Sequence, residues 1–96
     1  WRGRLVENAV GAHLCNNLAP VEYSLTYWRE GASEVDYVIA RGLDLWAIEV
    51  KSGRSGKLSG LIRFRSRYPE AKILLVGGSG IPLQDFFDRD PSLWLS

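Results

Sequence analysis

An α/β domain in the order α, β, β, β, α, β, with a mixed central sheet flanked by helices, is the fold class this chain predicts, and three observations carry it. Apolar residues recur at three- and four-residue spacings from Arg2 to Leu18, the mark of an amphipathic helix. Two alternating runs, Glu34 to Arg41 and Asp44 to Lys51, meet at Gly42-Leu43 as the arms of a hairpin. A second helical stretch then leads into Ile73-Leu74-Leu75-Val76, an uninterrupted apolar run of the kind that forms a buried strand.

The first helix places Val6, Val10 and Leu14 on one stripe with Leu5 and Ala9 beside them. Glu7 lies on the margin of that stripe, one turn before Val10. A carboxylate there is either a solvated first-turn acid favoured by the helix dipole or one held by a partner, since burying it alone is costly. Cys15, the only cysteine, reads as a small, partly buried apolar residue of this helix, and no intrachain disulfide or cysteine zinc site can form. His13 is the only histidine, and two residues from Cys15 on a helix it points elsewhere.

Pro20 ends the helix, and Tyr23 to Arg29 alternates as a first strand, with Tyr23, Leu25 and Tyr27 on one side. Gly31-Ala32-Ser33 turns the chain into the hairpin. After Lys51 come Ser52, Gly53, Ser55 and Gly56, a loop; a second helix is expected from about Lys57 to Tyr68, closed by Pro69. Lys72 to Val76 forms the last strand. Gly77-Gly78-Ser79-Gly80 stops it and lacks the spacing and lysine of a phosphate loop. Pro82 opens a short helix through Phe87, and Ser92 to Leu95 is expected to pack Trp94 back on the sheet.

The hairpin carries the chemistry. Gly42 as first and Leu43 as second central residue suit a type II′ turn, because glycine takes the positive φ of the first position at little cost. Residues equidistant from that turn then face each other, so Asp36 sits opposite Glu49 and Glu34 opposite Lys51. Side-chain alternation places Glu34, Asp36, Val38 and Ala40 on one face with Leu45, Ala47, Glu49 and Lys51. Val35, Tyr37, Ile39, Trp46, Ile48 and Val50 form the other, core-like face.

Two carboxylates about 5 Å apart across a sheet repel unless something positive joins them. A divalent cation meets that demand: magnesium commonly uses one or two protein carboxylates and completes its shell with waters and substrate phosphate. Lys51, two residues beyond Glu49 and on its face, could position a water or stabilise charge on a phosphate. Asp36, Glu49 and Lys51 thus form a metal-plus-lysine arrangement suited to phosphodiester hydrolysis with Mg²⁺ or Mn²⁺. The competing reading is a Glu34–Lys51 cross-strand ion pair with Asp36 and Glu49 solvated at the sheet end.

Composition narrows the classes. The chain has 96 residues, 46% hydrophobic and 24% charged, with a net charge of +1. That is one globular domain with no global basic field, so nucleic-acid binding has to rest on local patches. Arg54 and Lys57 are the DNA-contact candidates, because their loop leaves the strand end that carries Glu49 and Lys51. Arg63 and Arg67 share a helix face while Arg65 points away. No apolar run approaches the roughly 20 residues of a membrane span, and the cytoplasm is the expected compartment. A start at Trp1 is expected of a piece of a longer chain.

The residues Glu34-Val35-Asp36-Tyr37 and Ile48-Glu49-Val50-Lys51-Ser52-Gly53 resemble the PD-(D/E)XK nuclease-like superfamily, whose core hairpin carries an Asp on one strand and Glu-x-Lys on the next. Together with Gly3-Arg4-Leu5-Val6-Glu7-Asn8 and Tyr27-Trp28-Arg29, they also resemble the C-terminal domain of unknown function that follows an AAA-type ATPase module, over Arg2 to about Phe87. The resemblance implies a single-domain restriction-endonuclease-like core over residues 1–96, the C-terminal fragment of an ATPase-containing chain. It implies Asp36, Glu49 and the Val50 carbonyl as metal ligands, Lys51 as the catalytic lysine, and Glu7 as the acidic residue of the first helix sharing that site. Two features depart from the pattern: no proline precedes Asp36 in its motif, and no Gly-x-x-x-x-Gly-Lys-Ser/Thr segment is present, so the ATPase would be a partner module outside this sequence.

Two functions follow. One is a Mg²⁺-dependent deoxyribonuclease using Glu7, Asp36, Glu49 and Lys51. The other is a catalytically inactive module of the same scaffold that binds DNA or protein beside the ATPase, with homo-oligomerisation open to either.

Overall fold

The computed structural model describes residues 2–51 and 59–95. Helix α1 spans Arg2–Asn17, strands β1, β2 and β3 span Ser24–Glu30, Ser33–Arg41 and Asp44–Lys51, helix α2 spans Ser59–Arg67, and β4 spans Lys72–Gly77. Helix α3, Leu83–Asp88, and a 3-10 turn, Pro91–Trp94, follow. The result is a small α/β domain whose four-stranded mixed sheet runs β1-β2-β3-β4, antiparallel except for the parallel β3–β4 pair. A parallel neighbour needs a crossover, and the segment containing α2 supplies it.

The hairpin register follows the turn chemistry from Arg41–Asp44 through Ile39–Trp46 to Tyr37–Ile48. Gly42 has φ +60°, and no non-glycine residue among those described has a positive φ, as a type II′ turn requires. Beyond Tyr37–Ile48 this ladder stops, so neither Asp36 with Glu49 nor Glu34 with Lys51 forms a cross-strand backbone pair.

The cause lies on the other edge of β2. Thr26 pairs with Val38 but Trp28 pairs with Val35, so Asp36 and Tyr37 together oppose Tyr27. One extra residue in β2 makes a β-bulge, which breaks the side-chain alternation there. Val35 and Val38, three apart, consequently share one face, packed with Ala47, Leu61, Phe64 and Ala71 under α2. Tyr37, Ile39, Trp46 and Ile48 lie on the opposite face with Val10, Leu14, Leu18, Val76 and Phe86 under α1 and α3. The expected grouping of Val35 with Tyr37 is therefore corrected by the bulge.

Helix α1 buries Val10 and Leu14, and Leu18 just beyond it, while Leu5 is 54% exposed and Ala9 is exposed. Its core stripe passes through half-buried Glu7 rather than Leu5. Cys15 is exposed, contrary to expectation, because it falls on the flank of that stripe rather than within it. On the other layer, Arg63 and Arg67 of α2 clamp Glu30 of β1 at 2.7 and 2.6 Å, while Arg65 turns to the Pro69 carbonyl. At the C-terminal end Phe86 is fully buried and Trp94 packs on the α1-side core. No helix among the described residues is long and apolar enough to cross a membrane.

Candidate functional site

Where β2 and β3 part, the Val50 N–H donates to Asp36 Oδ2 at 2.8 Å. In a two-residue hairpin, alternate pairs counted from the closing pair exchange backbone hydrogen bonds, and Val35–Val50 would be the next after Tyr37–Ile48. The bulge interrupts that series, and the Asp36 side chain satisfies the donor instead. An acidic side chain is thereby held inside the fork.

Glu49 reaches the same place from β3. Its Oε1 is buried and has no hydrogen-bond partner among the described residues. Burial first, then the neighbouring Asp36 charge, push the Glu49 carboxyl up to about 8, against a smaller downward pull from Lys51. The Asp36 and Glu49 carboxyls are close enough to share a hydrogen bond when one is protonated.

Glu7 comes from the helix above. Its pKa is raised by burial, then by the charge of Asp36 and a hydrogen bond to its carboxyl, while Arg4 pulls the other way. The Tyr37 hydroxyl donates to the Glu7 carbonyl at 3.0 Å, tying that turn of α1 to the bulge. Asp36 is therefore the common neighbour of two further carboxylates, Glu7 on α1 and Glu49 on β3.

Lys51 ends β3 two residues beyond Glu49, opposite Gly77 in the parallel ladder. Gly77 and Gly78 both adopt positive φ, and a Cβ on Gly78 would lie 3.1 Å from the Lys51 Cβ. The turn after β4 is thus packed against the lysine stem, a role a plain loop does not imply. Glu34, expected opposite Lys51, instead makes a 2.6 Å ion pair with Arg29 across the β1–β2 ladder.

Among the described residues no three His, Cys, Asp or Glu are arranged to hold a metal ion together. Two neighbouring carboxyls, one with an unpartnered buried oxygen, are a donor set that a magnesium ion keeping most of its waters could use. Asp36 and Glu49 are the carboxylates that could hold such a cation, and the Val50 N–H donates to the first of them. Arg54 and Lys57 lie outside the described residues. A cleft of about 500 Å³ lined by Leu61, Ile62, Pro69, Ile73 and Leu75 includes none of the carboxylates.

Tyr37 and Gly11 meet here with little local sequence signal. Tyr37 belongs to an ordinary apolar alternation, and the one pointer is Gly11, a helix-interior glycine that costs about 1 kcal/mol relative to alanine unless close packing requires it.

The family model described as Domain of unknown function (DUF4143) matches residues 2–87. Neither the curated proteins nor the solved structures contain a significant match. Since the matched segment takes in α1, all four strands and all the carboxylates of the fork, the chain belongs to the DUF4143 family.

Proposed function

We propose that this domain is a metal-dependent nuclease of the PD-(D/E)XK type, acting on DNA from a restriction-endonuclease-like core joined to an AAA-type ATPase module. The observation that carries the reading is Asp36 at the β2–β3 fork with Glu49 and Glu7 each beside it, and Lys51 one alternation beyond Glu49. A Mg²⁺ or Mn²⁺ ion held there would supply Lewis acidity and a more acidic bound water. Asp36 and Glu49 would hold the cation, Glu7 would adjust the negative charge around it, and Lys51 would orient the attacking water or balance charge on the phosphate. Arg54 and Lys57 would contact backbone phosphates, which brings affinity without sequence reading.

The second reading, a catalytically inactive module that binds DNA or protein, is favoured by one observation: no three-ligand arrangement exists among the described residues. Cleavage assays with Mg²⁺ or Mn²⁺ on single-stranded, duplex and branched DNA separate the two. Cutting that is lost in Glu49→Ala and Lys51→Ala supports the nuclease. Cutting that survives both removes the mechanism, and absence of both cutting and calorimetric metal binding supports the module.

A further inference from the structure

Asp36 and Tyr37 are consecutive, yet both serve the α1 side of the sheet, which regular strand alternation forbids and the β-bulge allows. The Tyr37 ring packs against the α1-side core, and its hydroxyl donates to the Glu7 carbonyl at 3.0 Å. That approach needs a notch: Gly11 sits one turn after Glu7, and a Cβ there would collide with the Tyr37 hydroxyl. Gly11 is buried in mid-helix, where alanine would otherwise be preferred.

We infer that Tyr37 is a positioning residue: seated in the Gly11 notch, its hydroxyl fixes the turn of α1 that brings the Glu7 carboxylate to Asp36. The inference rests on the proposed reading of Glu7 as part of the site. One bulge accordingly does two things, aiming Asp36 into the fork and aiming the tyrosine that brings its neighbour.

A merely structural tyrosine would affect stability alone, so the test is a double-mutant cycle on cation binding. Mn²⁺ affinity is measured by calorimetry for wild type, Tyr37→Phe, Glu7→Gln and the double variant. Tyr37→Phe is expected to weaken binding about tenfold in the wild-type background, equivalent to about 1.4 kcal/mol, and to have little further effect when Glu7 is already Gln. Equal weakening in both backgrounds overturns the inference. Gly11→Ala, which keeps every polar group but blocks the notch, should reproduce the Tyr37→Phe result and replaces it if that variant does not fold. If wild type binds no Mn²⁺, the metal reading fails by itself; the positioning role is then decided by crystal structures of wild type and Tyr37→Phe, in which the Glu7 carboxyl should lie beside Asp36 in the first and leave it in the second. A Glu7 carboxyl that stays beside Asp36 in the folded variant refutes the role.

Discussion

Val50 gives its backbone N–H to the Asp36 carboxylate at 2.8 Å, a donor that an unbroken hairpin would have directed at Val35. The candidate site therefore exists because a strand pairing is interrupted, and Asp36 has a structural task besides the chemical one proposed for it.

Those tasks separate by substitution. Asp36→Asn keeps an acceptor for Val50 and removes the charge beside Glu49, so stability at pH 7 should equal or exceed that of wild type. Asp36→Ala leaves the N–H unpaired and should cost about 1–3 kcal/mol. Urea denaturation measures both, and cation binding should be lost in each. Equal destabilisation by the two substitutions would contradict this assignment.

The raised Glu49 pKa makes stability depend on pH with a definite sign. A carboxyl that titrates near 4.5 when unfolded and at about 8 when folded favours the protonated form in the fold. Its contribution is full below pH 4.5, declines as pH rises toward 8 and levels off above. One proton gives at most about 1.4 kcal/mol per pH unit, and partial exposure of Glu49 to solvent makes the expected slope smaller. Glu49→Gln should flatten the profile between pH 5 and 8. A wild-type profile already flat across this window would contradict the assignment.

Gly60 tests the seating of α2. Alanine usually improves a helix by up to about 1 kcal/mol over glycine. Here the added Cβ would strike the Glu34 carbonyl oxygen of β2, so Gly60→Ala should destabilise by about 1–3 kcal/mol instead. The sign alone decides, and thermal denaturation reads it.

The clamp of Arg63 and Arg67 on Glu30 holds α2 against β1 by exposed charges. The Glu30 pKa is lowered, first by its hydrogen bond to Arg63, so this support is present above the ordinary carboxylate pKa and fades as pH falls through the lowered value. Glu30→Gln should destabilise slightly at low salt, and the difference should shrink as salt is added. A loss that does not change with salt would point to packing rather than charge.

Much of this molecule is legible locally. Helical periodicity, the Gly42-Leu43 turn, Pro69 and Pro82, and the apolar run at Ile73 to Val76 each depend on residues close in sequence. The elements they predict appear with bounds shifted by two residues or fewer at most ends. The register near the turn is legible for the same reason: one glycine and strict alternation determine it as far as Tyr37–Ile48. Arg63 and Arg67 share a face by helix geometry alone, though their common partner Glu30 lies on a distant strand.

The bulge is different in kind. Asp36 and Tyr37 carry no glycine or proline to mark an extra residue, and whether β2 has one more residue than its partner depends on the pairing with β1. The sequence by itself determined which acids and which lysine lie on the hairpin. Tertiary structure decided which face Asp36 serves, that Glu34 joins Arg29, that Glu7 reaches Asp36 and that Tyr37 and Gly11 meet. The physical reason is that a strand's periodicity holds only while its ladders stay in step, and staying in step is a property of two strands, not one.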